Sequence, residues 1–141
     1  MDYVINKETI LSKVEELIAR IADSRYADDG TSLYDSIVTT SGDSGVLESY
    51  IDEAISNIVA RLADVCVSSS GYTLSFNVPD MVEGNITRAK SELDSYIVNT
   101  AVSLWCDKKD ADSSVLYQNY AANDLNAAIK LMKTRKIPSR K

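Results

Sequence analysis

Apolar residues recur every three or four positions through four long stretches of this chain and alternate strictly in only one short stretch. A repeat near 3.6 makes a helix with one apolar face, and a repeat of two makes a half-buried strand. That contrast restricts the fold to mainly α: four long helices forming a bundle, with one β-hairpin inserted between the second and third.

The first helix is expected from Asn6 to about Arg25. Asn6 is a good N-cap, Glu8 suits the positive end of the helix dipole, and Ile10, Val14, Leu17, Ile18 and Ile21 form one stripe. Residues 26–44 break the period with Gly30, Gly42 and four aspartates, Asp28, Asp29, Asp35 and Asp43. This reads as a long loop, a candidate for function or mobility, with a short ordered piece at Leu33–Val38.

The second helix is expected from Ser44, as its cap, to about Asp64. Its apolar residues come in adjacent pairs four apart, from Val46-Leu47 to Leu62-Ala63. A step of four drifts by roughly 40° around a helix of 3.6 residues per turn, so the stripe sweeps widely. Such a helix touches several partners and is placed at the centre of the fold. The third helix is expected over Asn85–Asp107, with Asn85 and Thr87 near its cap. The fourth is expected over about Ser113–Thr134, with Leu116, Tyr117, Tyr120, Ala121, Leu125, Ala128, Ile129 and Met132 turned inward. Ile51, Ile55, Ile58, Leu62, Leu93, Ile97, Leu104 and Ile129 form the expected shared core, and Tyr50, Tyr96, Tyr117 and Tyr120 are read as core residues with hydrated hydroxyls.

The alternating segment is Tyr72, Leu74, Phe76 and Val78, ended by Pro79 and preceded by Val65-Cys66-Val67 across a Ser-Ser-Ser-Gly run. Together, residues 65–79 are expected to form a hairpin. Two strands alone are marginal in water. The apolar row Tyr72, Leu74, Phe76 and Val78 is therefore assigned to contact with another protein chain.

With 141 residues, the chain is expected to form one domain, 1–141. No stretch approaches the ~20 apolar residues of a membrane span, and no leader of signal-peptide length is seen, so a cytosolic protein is expected. Cys66 and Cys106 are too few for a disulfide framework and are read as small buried residues. The sequence has no histidine, which removes the commonest general base and metal imidazole. Gly42-Asp43-Ser44-Gly45 copies the letters around a serine nucleophile but has no partner base, and Asp107–Asp112 lacks the spacing of a calcium loop. Asn85-Ile86-Thr87 is a glycosylation sequon only in name for a cytosolic chain. No catalytic residue, metal site, cofactor or small-molecule substrate is assigned.

Charge is unevenly placed. Lys130, Lys133, Arg135, Lys136, Arg140 and Lys141 close the chain without an acid, and the other residues carry nine cations against 21 acids. An acidic body has no general nucleic-acid footprint. The basic segment Lys133–Lys141, stopped as a helix by Pro138, is expected to be disordered alone and to dock on an acidic protein surface. Its interface residues are Lys133, Arg135, Lys136, Arg140 and Lys141.

Residues Ser44–Ala54, SGVLESYIDEA, resemble the opening helix of tailed-phage head–tail connector (adaptor) proteins. Ala101-Val102-Ser103-Leu104-Trp105-Cys106-Asp107 is similar to that family's helix ending in an aromatic and an acid-rich turn. Asp124-Leu125-Asn126-Ala127-Ala128-Ile129-Lys130-Leu131-Met132 is similar to its closing helix. The match runs from Ser44 onward and leaves the first helix outside it. The resemblance implies a non-enzymatic virion assembly protein that forms a ring beneath the portal and joins capsid to tail. Its partners would be other copies of itself and portal-like or tail proteins, with DNA passing through the ring unread. It would be found in the host cytoplasm during assembly and then in the virion. The residues by themselves leave open a cytosolic helical protein-binding or regulatory module, and an enzyme built on lysine and carboxylates alone.

Overall fold

Asn6 adopts extended backbone and accepts the Thr9 amide at 3.1 Å, which starts helix α1 at Lys7 and carries it to Ser24. The protein is described here from a computed structural model covering residues 1–79 and 81–135. Five α-helices follow in order, α1 (Lys7–Ser24), α2 (Tyr34–Ile37), α3 (Ser44–Arg61), α4 (Gly84–Cys106) and α5 (Ala111–Lys133). Three strands, β1 (Asp2–Val4), β2 (Cys66–Ser70) and β3 (Thr73–Phe76), complete the described fold. The four long helices and the hairpin between the second and third agree with the periodicity of the sequence.

Three boundaries differ from expectation. Ser44 is already helical, and Asp43 is the N-cap of α3, reached through a tight 3-10 turn at Ser41–Asp43. There Thr40 and Asp43 cap each other, the Asp43 carboxylate accepting the Thr40 amide at 2.7 Å. Helix α4 begins at Gly84, so Asn85 is no cap; its side-chain amide reaches the Leu131 carbonyl at 3.4 Å. The opening residues are a strand, although their polar–apolar alternation is too short to be read as one.

That strand changes the account of the hairpin. The sheet order is β1-β3-β2, both pairings antiparallel, so β3 is the middle strand. Gly71, with φ +58°, takes the first central position of the two-residue hairpin turn. β1 and the helices cover the apolar row of β3: Leu74 is 0% and Phe76 3% exposed, with Tyr3 beside them in the core. Leu74 and Phe76 are thus core residues and not a free interface, because the row is covered within the chain. Tyr72 and Val78 are half-buried at its two ends.

The centre of the fold is α4, not α3. Ten α4 residues are buried, on more than one face, and α1, α3 and α5 all pack on it. Helix α3 buries Leu47, Ile51, Ala54, Ile55 and Ile58 along one ordinary face, while Val46 is exposed and Tyr50 half-buried. Apart from Ala54-Ile55, where both are buried, its drifting pairs put one member inward and leave the other on the flank. The 26–44 segment is anchored rather than free: Ile37 is buried, and its carbonyl accepts the Trp105 indole N–H at 2.7 Å.

The turn at 107–110 makes α4 and α5 an antiparallel pair. Ser103 and Ser114 lock it, each hydroxyl donating to the other's carbonyl at 2.8 and 2.9 Å. Small residues at Ala101, Ala121 and Ala128 let the two backbones come close. Contrary to expectation, Leu116 and Tyr120 are exposed, at 44% and 45%, and Leu104 and Ile129 are only partly buried. Of the cysteines, Cys106 is buried and Cys66 half-buried.

Candidate interaction surfaces

Helices α3 and α5 both lean on α4 and leave an open groove of about 610 Å³ between them. Its floor is the α4 face Tyr96, Thr100, Ser103, Leu104 and Asp107. One wall is Glu53, Asn57, Ala60 and Arg61 of α3; the other is Ser114, Gln118, Ala121, Ala122 and Leu125 of α5. The floor spans Tyr96 to Asp107, about 16 Å at 1.5 Å per residue, or three helical turns. Alanines and serine on the walls leave room for larger side chains, and Asn57, Thr100 and Gln118 offer polar partners.

The charges of the groove are ordered along it. Asp64, just past α3, accepts Lys133 Nζ at 2.8 Å in the last turn of α5. The C-terminal end of α3 therefore lies at the end of the bundle where α5 finishes. Arg61 falls at that end and Glu53 and Asp107 toward the other. The groove is an apolar and polar trough with acids at one end and a cation at the other, the form of a slot for an amphipathic helix.

Beyond the groove, the described residues expose large apolar side chains on α5, on the outer strands of the sheet, and singly at Tyr26, Tyr34 and Val46. Val115, Leu116 and Tyr120 lie along the first half of α5, Tyr120 against Tyr117 edge-to-face with ring centres 5.5 Å apart. Val4 and Val67 lie on the strands at the two sides of the sheet.

The residues expected at an interface are dispersed. Tyr72 sits at the hairpin tip, where its hydroxyl donates to Asp52 at 3.2 Å and Lys7 lies over its ring. Partial burial first, then the Asp52 charge, raise the pKa of its phenol above the usual value. Lys133 and Arg135, expected to be disordered, are placed against the body instead: Lys133 on Asp64, Arg135 in a β-bridge with Met81. The Lys133 hydrogen bond holds the Asp64 carboxyl below its ordinary range. Lys136, Arg140 and Lys141 lie outside the described residues.

At the opposite end of the bundle, Arg25 Nε donates to Asp110 at 2.7 Å and its guanidinium also reaches Ser113. Burial pushes the Asp110 pKa up, but the Ser113 hydroxyl and Arg25 together outweigh it and the net shift is downward. This cluster ties α1 to the start of α5, and its groups are all engaged with one another. Among the described residues no group of three or more His, Cys, Asp or Glu is placed to hold a metal ion, and no helix is long and apolar enough to cross a membrane.

The groove is the feature that sequence reading missed. Its lining mixes polar and small residues with Tyr96, Leu104 and Leu125 from the apolar faces of α4 and α5, so no stripe of its own announces it. The one available signal was the second flank of α3 and the excess of alanine on α5. No protein-family model, curated protein or solved structure matches the chain.

Proposed function

We propose that this chain is a non-enzymatic assembly protein that works by packing against other proteins, in the manner of a tailed-phage head–tail connector. The groove between α3 and α5 carries the proposal. All of its lining residues fall between Glu53 and Leu125, inside the region from Ser44 onward that resembles the connector family. A slot three turns long, roomy and graded in charge, suits the capture of a helix from a portal-like or tail protein. The acidic body suits passage of DNA through a ring without adhesion. The same groove in a chain that stays monomeric would serve a cytosolic helical binding module, and particle mass separates the two.

The test is to mix the purified chain with a purified portal assembly from a tailed phage and follow it by native mass spectrometry and negative-stain imaging. Rings, or an added layer of chain on the portal, are expected. Ala122→Arg, which fills the groove from the α5 wall, is expected to abolish portal binding while leaving helical circular dichroism intact. A monomer that never joins the portal, or a groove variant that joins as well as the parent, overturns the proposal.

A further inference from the structure

We infer that copies of this chain join through the two edges of the sheet, the β2 edge of one copy pairing in parallel with the β1 edge of the next. The sheet would then run on from subunit to subunit. This rests on the reading of the chain as a self-assembling protein and adds where copies meet.

The backbone shows what each edge offers. Ile5 N–H donates to the Tyr72 carbonyl at 2.7 Å, and Phe76 N–H to the Met1 carbonyl at 2.8 Å. Residues 1, 3 and 5 thus face β3, and by alternation the N–H and C=O groups of Asp2 and Val4 turn outward. Leu74 uses its groups toward β1, so Ser69, its neighbour across β2, also turns its own outward. Each edge therefore presents unpaired donors and acceptors, the template for strand addition.

Both edge strands are short, and neither carries a lysine or a proline. No charged residue occurs between Asp64 and Asp80, the longest such run in the sequence, so β2 lacks the lysine or proline that commonly blunts an edge. Its bulge between Cys66 and Ser68 lies at the start and leaves Ser68–Ser70 in regular register. On β1 the one charge, Asp2, has its carboxylate on the Ser75 hydroxyl at 2.8 Å. Val4 and Val67, 69% and 68% exposed, are the most exposed large apolar residues among those described. One stands on each edge.

The occupant of each edge follows from charge and direction. Two copies of an acidic chain repel wherever their acids meet, and the uncharged β2 edge avoids this. Both edge strands run antiparallel to β3 and so parallel to each other. Laid in parallel on β2, the next copy's β1 sets its Asp2 beside the start of β2. There Lys133 and Arg135 line a small hollow with Val65. A two-fold pairing of β2 with β2 would leave β1 and Val4 uncovered. Head-to-tail pairing covers both edges and repeats, and it closes as a ring or continues as a filament.

Cross-linking decides it. On a Cys66→Ser background, with buried Cys106 left in place, copies carrying Val4→Cys are mixed with copies carrying Val67→Cys and mildly oxidised. Neighbouring strands lie ~4.8 Å apart, within disulfide reach. A cross-linked pair is expected from the mixture and from neither variant alone. Ser69→Pro, which removes only an outward N–H, and Val67→Lys are each expected to abolish assembly with helical circular dichroism unchanged. Cross-linking by Val67→Cys alone would show two-fold β2 pairing and overturn the inference. Assembly that persists in Ser69→Pro and Val67→Lys, with no cross-link in the mixture, overturns it while leaving the assembly reading standing. A chain that is monomeric at every concentration, both alone and with the portal assembly, removes both.

Discussion

Helices α4 and α5 are each 23 residues long and lie side by side, yet they play opposite parts. Ten positions of α4 are buried and six of α5, and the α5 set is largely small: Ser113, Ser114, Ala121 and Ala128 beside Leu125 and Met132. Helix α4 has neighbours on several sides, and α5 rests mainly on α4 along one narrow seam. The difference shows how a fold makes a binding surface. A helix held by a seam of small residues is secure along one line and leaves both of its flanks to form groove walls or exposed rows.

The contrast is sharpest in core truncation. Ile97 of α4 is fully buried, and Ile97→Ala is expected to cost about 2–5 kcal/mol in urea unfolding, the range for large core truncations. A loss under about 1 kcal/mol would place α4 at an edge of the core. Overfilling the seam comes next. Ala128→Leu, at a fully buried position outside the groove, forces added methylenes between α4 and α5 and is expected to cost about 1–3 kcal/mol. A neutral result would mean that α5 can swing away freely and that the groove has no fixed wall.

The Arg25–Asp110 contact ties the start of α5 to α1, with the Asp110 side chain 15% exposed. Its carboxyl is depressed in the folded state, so its contribution is present above the unfolded pKa of about 3.9 and disappears as pH falls through the folded value. Asp110→Asn is expected to lose about 1 kcal/mol at neutral pH, a hydrogen-bonded pair's ordinary share. The two proteins should converge once pH has fallen below the folded value. A gap that persists in acid would trace the loss to packing instead of charge. The smallest effect belongs to the exposed row of α5: Leu116→Ser is expected to change stability by no more than about 0.5 kcal/mol. A larger loss would mean that Leu116 is covered after all, as its place in the apolar period suggested.

The four long helices, the cap at Asn6 and the hairpin around Gly71 follow from the sequence alone, because a cap, a turn or an amphipathic face depends on residues a few positions apart. The core membership of Ile51, Ile58, Leu93 and Ile97 was legible for the same reason. What periodicity could not supply was the number of neighbours each face would meet. Leu116 and Tyr120 match the inward period of α5 but look outward, since only a narrow α4 seam stands against that helix. Leu74 and Phe76 lie in the core because three residues some seventy positions earlier pair with β3, a contact between distant segments that no local pattern encodes. Groove and sheet edges likewise exist only once α3, α4, α5 and the strands have been set against one another. Local chemistry chose the elements, and long-range packing chose which of their faces remained for other proteins.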